Sequence, residues 1–311
     1  MDDNHLRIGH LSTFYHTSFI LEGTNWLDDS GLDVKWKLFA SGPDIIRAFS
    51  NHEIDIGYIG LPPVMIGIGN GIPLKCIAGG HVEGTVMIAK PSHSALVRSG
   101  IAEEVLREFE GEIIGGPPKG SIHDVIVRDI ITRAELNVEV RNYPWADFVV
   151  EALADSEIQA GVGTPAMAVS AGRQCGARII LPPSSLWPNN PSYGIAIGEE
   201  MSLRSKQLEM FLTYHEQASN FIRDHPSDAA KIVAELTGTV DQQFVEDTYA
   251  ISPKYCSALS IEFIEATMRF GDVLRKLGYL KCSLSIDDVF DQSYIRKVHP
   301  ERPHYERAYP N

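Results

Sequence analysis

At 311 residues the chain exceeds what one hydrophobic core usually organises, so two lobes or domains are expected. Hydrophobic residues make up 44 % and charged residues 22 %, and no apolar run approaches the ~18 residues of a membrane helix, which excludes a helical span. A formal charge of −14, with no Lys/Arg cluster to offset it, repels phosphate backbones and anionic lipid and excludes nucleic acid as a partner.

The predicted elements alternate between strand and helix. Strands fall near 6–10, 34–39, 54–59 and 74–79, with Gly31 closing the first helix and Pro43 in the first turn of the second. An extended run at 85–90 leads into a second set of strands near 112–115, 138–142, 157–162 and 177–181, with helices from Ser121 and from about Trp145. Another extended run, 193–198, precedes an almost wholly helical remainder: 202–224, Ser227 to Gly238, 240–249, 260–277 and 286–297. If 85–90 and 193–198 run side by side, they form a hinge of two crossing segments. The lobes then comprise 1–89, 90–193 and a return from 194 to 311.

"AFSNHEIDIGYIGLPPVMI" from Ala48 and "ALADSEIQAGVGTPAMAV" from Ala152 share a helix end, a polar turn, Glu-Ile, a strand, Gly, Pro and an apolar helix start. One repeat of this kind implies two similar α/β lobes rather than a solenoid. The N-terminus shows no basic segment, apolar stretch or small-residue cleavage site before the strand near Leu6; the protein is periplasmic or extracytoplasmic if a signal was trimmed, and cytoplasmic if Met1 is the native start. Cys76, Cys175, Cys256 and Cys282 form no Cys-x-x-Cys and read as buried free thiols, with Cys256 and Cys282 the pair able to meet in a disulfide.

Ligands of open α/β sheets collect beyond the carboxyl ends of the strands, where helix N-termini offer free N–H groups. After the first strand stand His10, Ser12, Thr13, Phe14, Tyr15 and His16, hydroxyls, imidazoles and rings where a plain turn would carry Gly, Pro, Asn or Asp. Tyr58, Gly60, Leu61, Pro62 and Pro63 lie at the third strand and His81 at the fourth. The second lobe contributes Lys119, Gly120, Ser121, Ile122 and His123, then Trp145, then Thr164 and Pro165, then Trp187, Asn189 and Tyr193. Ser121 with Asp124 fits a capping box, which alone makes only a well-started helix; its position, matching the polar turn after the first strand, adds a binding role. About half of the aromatics are expected to be core.

Catalytic signatures are absent: there is no Gly-x-Ser-x-Gly, His-Glu-x-x-His or Walker sequence, and "GIGNGIPL" from Gly67 is not a dinucleotide fingerprint. Cys76 sits in an apolar strand beside Lys75, whose side chain should alternate to the other face. His10, His16, His81 and His123 could converge on a metal, or serve as ordinary hydrogen-bonding histidines, and the latter is the expectation. No cofactor is indicated.

The segments "EIDIGYIGLPPVMIGIGNGIPLKCIA", "GGPPKGSIHDVIVRDII", "EALADSEIQAGVGTPAMAVSAG", "LWPNNPSYGIAIG" and "VFDQSYIRKV" together resemble, in order and over nearly the whole chain, the type II periplasmic-binding-protein superfamily. Within it the likeness is to substrate-binding proteins of ABC importers for sulfonates, taurine, nitrate and thiamine-pyrimidine precursors. The resemblance implies an α/β fold of two lobes closing on a small molecule, a helical C-terminal part packed on lobe one, contacts to ligand from the turns named above, and ABC permease subunits as partners of a monomer. A related enzyme, the pyrimidine synthase of thiamine biosynthesis, uses a Lys and a His where this chain has Ile59 and Pro63, and a cysteine-rich stretch that is missing here. The expectation is therefore a binding protein, not an enzyme, for a small organic anion of sulfonate, carboxylate or pyrimidine-precursor type. The alternative is a cytoplasmic enzyme or sensor on the same fold, with His10, His16, His81, Lys119 or His123 as its titratable group.

Overall fold

The structure, a computed structural model, describes residues 4–92 and 100–305; Met1, on which the question of the native start turns, lies outside them. The strands are β1 (His5–Leu11), β2 (Asp33–Phe39), β3 (Ile56–Ile59), β4 (Leu74–Val82), β5 (Val86–Ala89), β6 (Ile113–Gly116), β7 (Glu139–Asn142), β8 (Ala160–Gly163), β9 (Arg178–Leu181) and β10 (Pro191–Gly198). They form two five-stranded sheets in the orders β2-β1-β3-β10-β4 and β7-β6-β8-β5-β9. Each sheet holds four strands of one direction and one antiparallel strand, β10 between β3 and β4 or β5 between β8 and β9.

The internal repeat has a direct structural meaning. β3 and β8 are the middle strands of their sheets, and each is preceded by a helix (Gly42–Ser50 and Ala146–Ala154) and followed by another (Leu61–Gly69 and Pro165–Cys175). All residues of β3 and β8 are buried, as strands covered on both faces must be.

Two expectations about the crossings need correction. The runs 85–90 and 193–198 do not lie side by side: β5 belongs to the second sheet and β10 to the first. The chain passes between lobes a few residues away, at 83–85 and ahead of β10, because the strand hydrogen bonding continues to Val82 and resumes at Pro191. The crossings are tied there. Glu83 N–H donates to Asn190 O at 2.7 Å, Asn190 Nδ2 to Thr85 Oγ1 at 2.8 Å, and Asn189 N–H to Glu83 Oε1 at 3.2 Å.

The helical remainder runs Ser205–Asp224, Pro226–Thr237, Gln242–Ile251 and Ile261–Lys276. Pro226 at the first helical position, not Ser227, opens the second of these, and Gly238 closes it in the left-handed conformation. The stretch 286–297 is two short helices, Ile286–Val289 and Ile295–Val298, because Phe290 turns extended to bridge Cys76 and Asp291 N–H donates to Cys76 O. The C-terminal part does not pack on the first lobe alone: helix Gln242–Ile251 lies against Pro165–Cys175 of the second, where Arg173 pairs with both carboxylate oxygens of Asp241.

All four cysteines are free, so Cys256 and Cys282 do not pair. Only Cys76 and Cys256 are buried; Cys175 is half-buried and Cys282 exposed. Burial pushes the Cys76 thiol up to about 12, that of an inert core residue, while Lys75 Nζ reaches the carbonyls of Asp287 and Asp288. Among the described residues no helix is long and apolar enough to cross a membrane.

Candidate ligand cleft

The carboxyl ends of β1, β2 and β3 face those of β6 and β8, and the space between is small, about 60 Å³. Five helices start at its wall. Ser41 caps Gly42–Ser50, Gly60 precedes Leu61–Gly69, Ser121 caps Ile122–Arg133, Ala146 begins Ala146–Ala154, and Thr164 caps Pro165–Cys175. In the three hydroxyl caps the oxygen accepts from the third helical N–H (Asp44, Asp124 and Met167), which fixes each side chain at the rim. First-turn amides and positive dipole ends from both lobes are thus turned on one point.

Between the helix ends lie Ser12, Thr13, Tyr15, His16, His123 and Ser192. Tyr15 Oη is 2.8 Å from Ser192 Oγ, and His123 Nδ1 is 3.0 Å from Thr85 Oγ1 on the crossing. Thr13 Oγ1 and His16 Nδ1 are buried without a hydrogen-bond partner in the protein. Such atoms are costly to bury unless something else fills their need, and both belong to residues that line the cleft. No Lys, Arg, Asp or Glu is among the residues lining it. Burial lowers His16 well below the ordinary imidazole range, helped by His10, His81 and His215 nearby, and lowers His123 to about 4, so both are neutral at pH 7.

Of the residues singled out in the sequence, Ser12, Thr13, Tyr15, His16, Gly60, Pro63, Ser121, Ile122, His123 and Thr164 come together here. Tyr58 and Tyr193 form a floor beneath: the His16 ring lies 4.1 Å from that of Tyr193 and 6.0 Å from that of Tyr58. His81 supports the same floor, stacked against Tyr193 and bonded through Nε2 to Ser252 O at 2.7 Å.

Others point elsewhere. His10 faces Ser18 and Glu22 and packs on Phe19 and Trp36, and Phe14 packs on Phe19 and Phe244. Leu61 and Pro62 are packed inside the start of their helix, as is Pro165. Lys119 lies over the Tyr279 ring outside the cleft, and Gly120, at φ +83°, donates its N–H to Asp124 Oδ2. Trp145 is exposed, Trp187 stacks on Phe270, and Asn189 belongs to the crossing. His10, His16, His81 and His123 do not gather around a common point that could hold a metal ion.

Ser41 and Ser192 were not anticipated. Ser41-x-x-Asp44 is the same capping pattern as Ser121-x-x-Asp124, at the turn that follows β2. Ser192 carries no local signal; it arrives by the antiparallel course of β10.

The lobes are closed on each other. Tyr279, in the C-terminal part, donates its hydroxyl to Asp124 Oδ2 of lobe two at 2.8 Å, and the space for a Cβ at Gly60 is bounded at 3.3 Å by Ile122. Ser121→Ala is expected to weaken ligand binding about tenfold, through the lost hydroxyl, beyond a loss of about 1 kcal/mol in stability from the cap. Titration calorimetry and urea unfolding on the same variant separate the two, and unchanged affinity with lowered stability would reduce Ser121 to its cap.

Two lobes of one topology, joined by two crossings and closed on a cleft of helix ends, define a type II periplasmic-binding-protein fold. The chain belongs to the NMT1-like family, whose model matches residues 1–238. It is 19 % identical over 285 residues to a Bacillus subtilis (strain 168) protein named for aliphatic sulfonate binding, covering 90 % of this chain and 83 % of that one. Among solved structures it is similar to the alkanesulfonate-binding protein SsuA from Xanthomonas axonopodis pv. citri bound to MOPS, with TM-score 0.78, 16 % identity, and 92 % and 98 % of the two chains covered. It is also similar to the periplasmic nitrate-binding protein NrtA from Synechocystis PCC 6803, with TM-score 0.77, 14 % identity, and 96 % and 88 % covered.

Proposed function

We propose that this protein is an extracytoplasmic solute-binding component of an ABC importer and that it captures a small organic anion, a sulfonate or carboxylate, between its lobes. The observation that carries the reading is the convergence of helix starts and neutral hydroxyls on a cleft without a single charged side chain, with Thr13 Oγ1 and His16 Nδ1 buried and unpartnered in its wall. An oxyanion supplies the acceptors that amides and hydroxyls require, and the Tyr15 and Tyr193 region supports an apolar or planar body behind it. The relatives named for sulfonate binding support the same ligand class, and the one named for nitrate binding supports an oxyanion.

Capture rather than catalysis suits the groups present. A general base must be near its working pH, and the imidazoles of the cleft are held far below it. With Lys119 placed outside the cleft, the ligand's charge is met by dipoles and neutral donors in a closed site, so affinity is expected to change little with salt. A thermal-shift screen of alkanesulfonates, aromatic carboxylates, pyrimidines and inorganic oxyanions, repeated at low and high NaCl, checks both points. The expected result is a rise in melting temperature with small organic anions at either salt; a rise with neutral compounds alone would overturn the reading.

A further inference from the structure

Outside the residues that line the cleft, Glu216, Cys256, His299 and His304 bring one carboxylate oxygen, one sulfur and two ring nitrogens within 4.8 Å of one another. We propose that these four side chains bind a divalent metal ion of the zinc type, which fastens the C-terminal tail to the body of lobe one.

The geometry suits a tetrahedral ion. With bonds of about 2.3 Å to sulfur and about 2.0–2.2 Å to nitrogen and oxygen, the edges of such a tetrahedron measure roughly 3.3–3.6 Å. Cys256 Sγ lies 3.1 Å from His299 Nε2 and 3.5 Å from His304 Nδ1, and Glu216 Oε1 lies 3.4 Å from His304 Nδ1 and 4.0 Å from His299 Nε2. Small adjustments bring all four donors to bonding distance. The donor set of thiolate, two imidazoles and a carboxylate is one that zinc accepts, and four protein ligands leave no open position, as in structural sites.

The surroundings are those of a supported site. His299 directs its other ring nitrogen to Glu301 Oε2 at 3.0 Å, which fixes the ring and leaves Nε2 toward the cluster. The second oxygen of Glu216 accepts from Ser257 N–H and Oγ, and His304 N–H donates to Cys256 Sγ at 3.4 Å. Cys256 and His299 are buried, whereas the His304 and Glu216 side chains keep 18 % and 12 % of their surface exposed, which gives an ion a way in.

The four residues come from separated places: helix Ser205–Asp224, the segment after Gln242–Ile251, and the tail beyond Ile295–Val298. Cys256 N–H donates to Gly80 O, so the ion would anchor the tail next to β4.

The test uses the full chain, freed of metal by chelator dialysis and titrated with Zn²⁺ against a chromogenic chelator. One equivalent per chain is expected, with a raised melting temperature. Co²⁺ in place of Zn²⁺ should give the strong visible absorption of a tetrahedral site and a near-ultraviolet thiolate-to-cobalt band. Cys256→Ser and His304→Gln, each checked for folding by circular dichroism, are expected to weaken binding at least about a hundredfold, and Glu301→Gln about ten- to a hundredfold. His304→Gln serves if Cys256→Ser does not fold. Less than half an equivalent bound, a Co²⁺ spectrum without the thiolate band, or affinity unchanged in a folded variant would overturn the site.

Discussion

Gly60→Val is expected to hold the lobes apart and to weaken ligand binding about a hundredfold or more, which corresponds to about 3 kcal/mol. Gly60 has an ordinary extended backbone, so the substitution strains no dihedral. A single Cβ there already meets Ile122 of the opposite lobe and Ser192 O at 3.3 Å. Valine adds two methyl groups beyond that point, where Ile122 Cβ and Cγ2 and Ser192 O already stand at 3.3–3.4 Å from the Cβ position. The side chain must therefore push the helix Ile122–Arg133 away, separating Ser121 from Ser41 and Thr13 across the cleft. In small-angle scattering with the best compound of the thermal screen, the wild type should compact while Gly60→Val keeps a larger radius of gyration. Equal affinity and equal compaction would show that closure does not pass through this contact.

Acid is expected to unfold the protein well before its carboxylates titrate. His10, His81, His123 and His215 are each lowered to about 4 by burial, and His16 is lowered well below its ordinary value of 6.5. All five are neutral in the folded chain at pH 6, and all five can take a proton once unfolded. The unfolded state therefore binds more protons between about pH 6.5 and 4, so stability rises with pH across that window and falls as the solution is acidified. At about pH 5.5 unfolding should take up about four protons, a slope on the order of 5 kcal/mol per pH unit. Urea midpoints measured in steps from pH 7.5 to 5 check this, and a flat profile would mean that these imidazoles are solvated or already charged in the folded protein.

The sequence makes some of this arrangement legible and conceals the rest, for reasons visible in single residues. Ser121 and Thr164 announce themselves because a capped helix start is a local event, written within four residues and placed by the alternation of strand and helix. The paired sheets follow from the repeat around Ile56 and Ala160. Phe14 and Trp187 stand in turns that belong to the cleft or beside it, yet their rings go to Phe244 and Phe270, partners that only the tertiary fold supplies. Lys119 likewise leaves the cleft for Tyr279, brought by the C-terminal part. The Glu216, Cys256, His299 and His304 cluster is the extreme case: His299 and His304 keep a His-x4-His spacing, but Glu216 and Cys256 come from two distant stretches that no spacing rule links to them, and the lack of Cys-x-x-Cys is no guide to it.

The place of β10 between β3 and β4 has a consequence for how the chain is made. Synthesis from the amino end completes the second sheet first, since β5 to β9 are contiguous and closed by Leu181. The first sheet cannot be finished at that stage. β3 and β4 must wait with their facing edges unpaired until Gly198 has emerged, although every residue of β3 is destined for the interior. The inserted lobe is thus the self-sufficient folding unit, while the lobe built on β1 to β4 is the late one, exposed to mispairing for as long as synthesis takes to deliver β10 between β3 and β4.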